Sequence, residues 1–173
     1  MVADPRTVFL DTETTGLDGS AEIIDIAVID CEGDVLLDTL VKPRRPIPAA
    51  SSAIHGLLDH HVARAPAWTD VYHVLAPILA DRPVVIYNVN YDRRIMQQCC
   101  QQSNLAEFGG AERWECAMLA YAEFRGLPGW RGRGFRWHKL EAAAKVMGVS
   151  PGNHRALADA EACRQVVHRM AEH

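Results

Sequence analysis

Residues 8–17 read Val8-Phe9-Leu10-Asp11-Thr12-Glu13-Thr14-Thr15-Gly16-Leu17, an apolar run that ends in two carboxylates and then breaks at a glycine. Val8, Phe9 and Leu10 have the pattern of the end of a buried strand. Because side chains alternate between the two faces of a strand, we expect Asp11 and Glu13 to leave it on the same side. The segment therefore directs two acids toward one point.

Like charges held this close raise each other's pKa values, and an apolar strand rarely carries such a pair without a cation between the carboxylates. Oxygen ligands without nearby thiolates favour a hard metal such as Mg²⁺ or Mn²⁺ over zinc. Alternatively, Asp11 and Glu13 lie just past the strand end, where Asp, Thr and Gly form turns and caps that carry no chemistry. The segment alone leaves both interpretations open.

The composition is that of an ordinary globular protein, which we interpret as one domain over residues 1–173. Hydrophobic residues make up 49% and charged residues 23% of the chain, which excludes a disordered protein. The formal net charge of -4 argues against a protein that coats long stretches of duplex through many phosphate contacts. A nuclease stays compatible, because catalytic acids add negative charge and a grip on a few terminal nucleotides needs only a local basic patch.

The sequence shows no pattern of secretion or membrane insertion. Residues 1–7 lack a basic region followed by an apolar core, and no apolar run reaches membrane-spanning length, so we expect a cytoplasmic location. The cysteines are odd in number and none is spaced as a Cys-x-x-Cys pair, so we expect them to be reduced. They are Cys31, Cys99, Cys100, Cys116 and Cys163.

The order of the strand patterns predicts an α/β fold. Segments rich in β-branched residues over 22–30 and 35–41, joined at Glu32-Gly33, are expected to pair antiparallel. Further strands are expected at 84–87 and 113–115. Three antiparallel strands followed by strands that alternate with helices predict a mixed five-stranded sheet covered by helices on both faces.

The first two helices are expected between the third and fourth strands. One is predicted to begin at Ser51 or Ser52 and to end at residue 58. The next is predicted to begin at Thr69, and Pro77 should kink it or end it early. Its inner face is assigned to Val71, Val74, Leu75 and Ile78.

Four later helices follow the same apolar periodicity. They are expected to begin at Asp92, at Cys116, at His138 and after Pro151-Gly152-Asn153. The last of them is predicted to carry Ala158, Ala162, Val166 and Met170 along one side.

Two further acids and one histidine stand near helix starts. Asp92 follows an apolar strand, and Asp159 lies in the first turns of the last helix, where the helix dipole alone would favour an acid. His154 can share a site with Asp159 only from the loop before the helix, because on a continuous helix the two would lie about 140° apart. A histidine in that loop suits proton abstraction near neutral pH. The remaining histidines are assigned to the surface: His60, His61, His73, His138, His168 and His173.

Three ordered segments carry these residues: Asp11-Thr12-Glu13-Thr14-Thr15-Gly16, Asn88-x-x-Tyr91-Asp92 and His154-Arg155-Ala156-Leu157-Ala158-Asp159. Together they resemble the three exonuclease motifs of the DEDDh, or DnaQ-like, family. The segment Ala53-Ile54-His55-Gly56-Leu57, with Ala65-Pro66-x-x-x-Asp70-Val71 after it, is similar to this family as well. The resemblance covers nearly the whole chain and favours a metal site over a simple turn.

The resemblance implies a ribonuclease H-like fold and a metal-dependent 3′–5′ exonuclease that releases nucleoside 5′-monophosphates. It implies that the four acids hold two divalent ions, with Mg²⁺ as the expected metal and Mn²⁺ as a substitute. Asp11 would bridge both ions, Glu13 and Asp159 would help to fix the ion that carries the attacking water, and Asp92 would serve the second. His154 would be the general base.

The resemblance also assigns residues to the terminal nucleotide of the substrate. They are Thr14, Thr15, Gly16 and Leu17 after the first acids, Ile54 and His55 on the opposite wall, and Asn88 in the second motif. Ile54 could equally be core and His55 a helix cap. The chain departs from the family at Tyr87, where members often have histidine, and at Val89, which replaces a usual alanine, so substrate handling is more in doubt than catalysis.

Residues 125–139 combine cations with aromatic rings, namely Arg125, Arg131, Arg133, Arg136 and Lys139 with Trp130, Phe135 and Trp137. Cations that meet phosphates and rings that meet bases are typical of a single-strand track. Alternatively, the loop is solvated and its aromatic residues anchor it, with Trp137 in the core beside Leu140. The weaker candidates for substrate contact are Arg93, Arg94 and Arg155.

The sequence therefore predicts an exonuclease for single-stranded 3′ ends, with DNA favoured over RNA processing. Its expected partner is nucleic acid, and a second copy of the chain or a separately encoded polymerase or processing protein is compatible with the sequence. The competing interpretation is a catalytically silent nucleic-acid-binding module. Such a module would be indicated by loss of an acid or of the histidine, and this chain retains all five.

Overall fold

The computed structural model describes residues 4–172, and in this part of the chain seven helices flank one five-stranded sheet. The predictions for the first three residues and for His173 lie outside the described residues. The strands are β1 (Val8–Thr14), β2 (Ile23–Asp30), β3 (Val35–Leu40), β4 (Pro83–Ile86) and β5 (Arg113–Cys116). The helices are α1 (Ala49–His55), α2 (Asp59–Val62), α3 (Trp68–Leu79), α4 (Val89–Gln102), α5 (Ala117–Arg125), α6 (Leu140–Met147) and α7 (Ala156–Ala171).

The sheet has the strand order β3-β2-β1-β4-β5. β2 pairs antiparallel with both β1 and β3, whereas β4 pairs parallel with β1 and with β5. The β2–β3 turn is held by the Asp30 carboxylate, whose Oδ1 accepts the N–H groups of Glu32, Gly33 and Asp34 at 2.9 Å. The predicted mixed sheet with three antiparallel strands is confirmed.

The two faces of β1 pack against different helices, which fixes where its side chains point. Val8 and Leu10 are buried in one cluster with Leu75 of α3 and Ile95 of α4. Phe9 is buried in another cluster with Cys163 of α7. The alternation along a strand therefore directs positions 11 and 13 toward α7, and position 12 toward α4.

The predicted start of α1 at Ser51 or Ser52 is wrong, because the helix begins at Ala49. Pro48 precedes it with a φ of -61°, a value that suits entry into a helix. The Ser51 hydroxyl is used elsewhere, since its Oγ donates to the carbonyl oxygen of Thr15 at 2.7 Å. This bond ties α1 to the turn that follows β1.

α3 also differs from the prediction in two respects. It begins at Trp68, and the N–H of Ala67 is satisfied by Asp70 Oδ2 at 3.1 Å, so Thr69 is not the cap. The helix continues through the exposed Pro77 to Leu79. Its buried stripe has helical spacing and consists of Val71, Leu75 and Leu79, while the predicted inner residue Val74 is 52% exposed and Ile78 is partly buried.

The starts of the later helices differ from the predicted starts by a few residues. α4 begins at Val89, which leaves Asp92 in its first turn, and α6 begins two residues after the predicted His138. Ala162 and Val166 of α7 are buried as predicted. Ala158 and Met170 are only partly buried; Ala158 borders a groove above β2 and β3 instead of the main core.

Two histidines that the sequence assigns to the surface are partly buried. His168 contacts the carbonyl oxygen of Cys31 at 3.0 Å, and the ring of His138 packs edge-on against Tyr121. The cysteines are all free, as predicted. Within residues 4–172, no helix is long and apolar enough to cross a membrane.

Candidate active site

The three motif segments meet in one cleft of about 340 Å³ at the ends of β1 and β4 and the start of α7. It is lined by Asp11, Thr12, Glu13, Asn88, Tyr91, Asp92, Lys139, Leu140, Glu141, Gly152, His154 and Asp159. The structure thus places all four acids and the histidine singled out from the sequence around one cavity.

β1 supplies the first pair of acids from within the strand. Asp11 and Glu13 lie inside β1, which runs on to Thr14, so the alternative position past the strand end is excluded. The pairing of β1 with β2 shifts register between Glu13 and Thr14, an irregularity that often re-aims side chains beside a functional site. Glu13 stands opposite Asp25 of β2.

Asp92 reaches the same cleft from the other side of the sheet. It is 4% exposed in the first turn of α4, and its Oδ1 accepts a hydrogen bond from Thr12 Oγ1 at 2.7 Å. Burial of a carboxylate is costly, so helix-dipole stabilisation alone does not explain this placement. The bond to Thr12 fixes the position of Asp92 relative to β1.

The loop before α7 places His154 beside Asp159. His154 lies outside the helix with a φ of 57°, a left-handed conformation that is strained for a non-glycine residue and is often found at functional sites. A Cβ added at Gly152 would come within 1.5 Å of Asp159 Oδ1. Only glycine therefore lets the loop pass so close to the Asp159 carboxylate.

Asp25 holds the start of α7 and was missed by the sequence reasoning. It is 1% exposed, and its Oδ2 accepts bonds from Arg155 Nε at 2.8 Å and from the Ala156 N–H at 3.4 Å. The second bond satisfies a free N–H at the helix start. The available signal was an acid in the middle of an otherwise apolar strand.

The four acids repel one another across the cleft. Burial, and then the charges of Asp92, Asp159 and Glu13, raise the pKa of Asp11 well above its ordinary value. Burial followed by the charge of Asp159 raises the pKa of Glu13 to about 8. Burial raises the pKa of Asp92 to about 7 and also raises the pKa of Asp159, against the opposing effect of His154. The site favours protonated acids or a bound cation over four free carboxylates.

A metal ion could be held at one end of this cleft. Glu13, His154 and Asp159 each offer a ligand atom, and these atoms lie within 4.8 Å of one another. His154 also approaches α6, where its Nε2 is 3.3 Å from Glu141 Oε1. Glu141 was missed because its contact depends on how α6 packs beside α7, whereas Lys139, which the sequence grouped with the cations of residues 125–139, lines the cleft.

The segment after Glu13 is fixed mainly by its own side chains. Thr14 Oγ1 donates to the Gly16 carbonyl at 3.0 Å, and Tyr91 donates to the same carbonyl at 2.9 Å. Thr15 Oγ1 accepts the N–H of Glu22 at 2.9 Å. The two threonine side chains are buried, and the Thr15 and Gly16 carbonyls accept hydrogen bonds from within the protein, whereas the Leu17 side chain is 78% exposed.

Ile54 and His55 lie near this segment and not among the residues that line the cleft. Ile54 is 61% exposed, so its assignment to the core is wrong. His55 is buried and its Nδ1 accepts the N–H of Leu57 at 3.0 Å, which confirms that it closes the end of α1. Burial lowers the pKa of His55.

The three weaker arginine candidates all have contacts within the protein. Arg93 lies 5.5 Å from the ring centre of Trp114, Arg94 donates to the Leu17 carbonyl at 3.1 Å, and Arg155 pairs with Asp25. The two residues that depart from the family pattern, Tyr87 and Val89, also make contacts within the protein. Tyr87 donates to the His138 carbonyl at 3.0 Å, and Val89 is buried against the core.

Comparisons with known proteins agree with this geometry. The sequence model of an exonuclease family matches residues 8–167. The chain is 44% identical over 171 residues to the uncharacterized exonuclease CP81 of Escherichia phage 186, a match that covers 95% of this chain and 88% of the phage protein.

A DNA polymerase III subunit epsilon-like protein of Rhodobacter capsulatus is 30% identical over 174 residues, which covers 94% of this chain and 23% of that longer protein. Among solved structures, exonuclease X in complex with 5′ overhanging duplex DNA is 27% identical with a TM-score of 0.69, and the match covers 96% of this chain and 91% of that one. The predicted ribonuclease H-like fold is thereby confirmed. The chain belongs to the DEDDh, DnaQ-like exonuclease family and is a nuclease.

Proposed function

We propose that this protein is a divalent-metal-dependent exonuclease that hydrolyses single-stranded nucleic acid from the 3′ end and releases nucleoside 5′-monophosphates, with DNA as the favoured substrate. The observation that carries the proposal is the convergence of four carboxylates and His154 in one cleft. The preference for DNA is supported by exonuclease X, whose solved structure contains 5′ overhanging duplex DNA.

The donor set of the cleft fits hard divalent cations. All four acids offer oxygen ligands, the pKa values of all four are raised, and cysteine is absent from the lining residues among those described. We assign Asp11, Glu13 and Asp159 to one Mg²⁺ ion, and Asp11 with Asp92 to a second. Bound ions would supply Lewis-acid stabilisation of the charge that develops on the phosphate oxygens during hydrolysis.

His154 is assigned as the general base. It lies outside the helix, its side chain is 45% exposed, and it faces the same cleft as Glu13 and Asp159. In this position an imidazole nitrogen can take the proton of the attacking water, a contribution worth about 10²–10⁴-fold in rate. Glu141, 3.3 Å from Nε2, limits where the ring can turn.

The terminal nucleotide is assigned to the segment that follows Glu13. Thr14, Thr15 and Gly16 form the turn that holds Leu17, whose exposed side chain offers an apolar surface to the base. Asn88, which lines the cleft, is assigned to the same nucleotide. We assign the opposite wall to α1, where Ile54 is exposed and His55 supports the helix end from within.

The test follows degradation of 5′-labelled single-stranded DNA and RNA oligomers of matched sequence with Mg²⁺, with Mn²⁺ and with chelator. We expect a metal-dependent ladder that shortens from the 3′ end, faster on DNA, and absent in an Asp159→Asn variant of unchanged fold. An oligomer blocked by a 3′-terminal phosphorothioate is the control for direction. Internal cleavage, or no cleavage with either metal, would refute the proposal.

A further inference from the structure

Residues 127–137, which we call the aromatic-arginine loop, form a closed backbone hairpin. The Gly129 N–H donates to the Gly134 carbonyl at 3.0 Å, and the Arg136 N–H donates to the Leu127 carbonyl at 2.9 Å. A Cβ at Gly129 would lie 2.2 Å from the Arg133 carbonyl oxygen, so this crossing requires glycine. The path of the loop is thus set by its backbone.

The aromatic side chains of this loop are therefore not its anchors. Trp130 at the tip is 84% exposed, Trp137 is 66% exposed and Phe135 is 45% exposed. The prediction that Trp137 belongs to the core is wrong. Large aromatic residues concentrated on an exposed surface are typical of a binding site.

The loop borders an open groove of about 1090 Å³ that combines aromatic rings with positive charge. Arg133 and Arg136 line the groove, and Glu123 is the only acid among its described lining residues. This local excess of cations lies in a chain with a formal net charge of -4. The charge is thus complementary to a polyanion, and the rings offer π-faces to stacked bases.

The far end of the loop is joined to the catalytic cleft. Tyr87, which directly precedes Asn88 of the cleft, donates to the carbonyl of His138 at 3.0 Å. The next residues, Lys139, Leu140 and Glu141, line the cleft itself. The end of the loop therefore adjoins the wall of the cleft.

We propose that the aromatic-arginine loop binds the single strand upstream of its 3′-terminal nucleotides, with Trp130 and Trp137 stacking on bases and Arg133 and Arg136 contacting phosphates. This inference rests on the proposed exonuclease function and extends its substrate site beyond the terminal nucleotide. A loop that binds the upstream strand should make the enzyme prefer oligomers that are long enough to reach the loop, and short substrates should be hydrolysed less efficiently.

The test compares a single-stranded DNA 20-mer with the p-nitrophenyl ester of thymidine 5′-monophosphate, which reaches only the cleft. In the Trp130→Ala/Trp137→Ala double variant, we expect KM for the 20-mer to rise about 5- to 100-fold, the usual worth of base stacking, with kcat maintained. The ratio of kcat/KM for the 20-mer to kcat/KM for the ester should fall by the same factor. The Arg133→Gln/Arg136→Gln variant should act in the same direction and show a weaker dependence of KM on salt.

The matched control is Arg169→Ala, because Arg169 is exposed on α7 about 15 Å along the helix from Asp159 and forms an ion pair with the exposed Glu172. This variant should match the wild type on both substrates. Binding of the labelled 20-mer in chelator, measured by fluorescence anisotropy, tests the loop even if the wild type hydrolyses nothing. A wild type that binds the 20-mer but hydrolyses nothing would refute the proposed exonuclease function and would not refute the inference about the loop.

An unchanged KM and unchanged anisotropy in both double variants would overturn the inference. Light scattering gives a second outcome that would overturn it. If the wild type is a dimer, and the tryptophan changes convert it to a monomer without changing KM or binding of the 20-mer, the loop binds a second copy of the chain. Circular dichroism of each variant checks that the fold is retained.

Discussion

The carboxylate cleft and the aromatic-arginine loop use opposite means to hold functional side chains. In the cleft, Asp92 is 4% exposed and the acids are fixed by β1, by α4 and by the start of α7. In the loop, Trp130 is 84% exposed, and backbone hydrogen bonds from Gly129 to Gly134 and from Arg136 to Leu127 fix the path of the chain. Four crowded acids need burial and rigid elements to bring them together, whereas a track for a flexible strand needs exposed groups on a fixed frame.

This difference predicts that changes in the cleft act on every substrate, whereas changes in the loop act only on substrates that reach it. The largest effect is expected from Asp11→Asn, which removes a carboxylate shared by both assigned ions. Hydrolysis of the 20-mer and of the small ester should fall together by about 10³-fold or more. Steady-state kinetics check this, and a selective loss on the 20-mer would contradict the assignment.

Thermal unfolding in chelator gives the control for Asp11→Asn. Because burial, and then the charges of Asp92, Asp159 and Glu13, raise the pKa of Asp11, removal of this acid relieves both the cost of a buried charge and the repulsion. The melting temperature of the variant should therefore equal or exceed that of the wild type. A large drop would mean that lost activity reflects unfolding.

His154→Ala should slow kcat on both substrates by about 10²–10⁴-fold while KM stays nearly constant. The reason is that the imidazole is assigned to proton transfer and not to binding. His73→Ala, at an exposed position of α3, is the matched control and should leave kcat unchanged. Loss of Mn²⁺ binding in His154→Ala would instead make His154 a metal ligand.

Asp25→Asn should affect the cleft indirectly, through the start of α7. Its buried carboxylate accepts bonds from Arg155 and from the Ala156 N–H, so the free energy of unfolding should fall by about 1–3 kcal/mol. Urea denaturation measures this, and kcat should fall on both substrates because His154 and Asp159 lie beside these groups. Glu172→Gln, in an exposed ion pair with Arg169, should change neither quantity.

A further expected effect is a pH dependence of stability that belongs to the cleft. The folded pKa of Glu13 is raised from 4.5 to about 8, so between these values the folded state binds more protons than the unfolded state. The contribution of Glu13 to stability without metal should therefore be fully present below about pH 4.5 and should be lost as the pH rises to about 8.

Differential scanning calorimetry at pH 5, 6.5 and 8 measures this dependence. We expect the melting temperature without metal to fall by about 5 °C or more over this range, and Mg²⁺ to restore it at pH 8. Glu13→Gln should reduce the dependence, because Asp11, Asp92 and Asp159 keep raised pKa values, and Trp130→Ala should leave it intact. A melting temperature that rises with pH in the wild type would contradict the raised pKa.

The sequence predicted most of the sheet because its strands obey simple rules. Alternation along β1 placed Asp11 and Glu13 on one side, and Pro151, Gly152 and Asn153 placed His154 before α7, as the structure shows. Helix starts were less predictable where no serine or threonine cap is used: Pro48 precedes α1 without a capping side chain, and Asp70 Oδ2 accepts the Ala67 N–H at α3.

The supporting residues of the site could not be predicted, because their roles depend on contacts between distant segments. Asp25 reaches Arg155 only through the β1–β2 register and the packing of α7 on β2. Glu141 reaches His154 from α6, which packs beside α7. Exposure was equally unpredictable for Trp137, whose spacing from Leu140 matched a helical core pattern.

We infer that the four acids share one cleft because they bind divalent cations there. Electron paramagnetic resonance measures the free Mn²⁺ at pH 8 and so counts the ions that the protein removes from solution. We expect two bound ions per wild-type chain and at most one in Asp11→Asn, with the Trp130→Ala/Trp137→Ala variant equal to the wild type. A free Mn²⁺ signal that the wild-type protein leaves undiminished would contradict it.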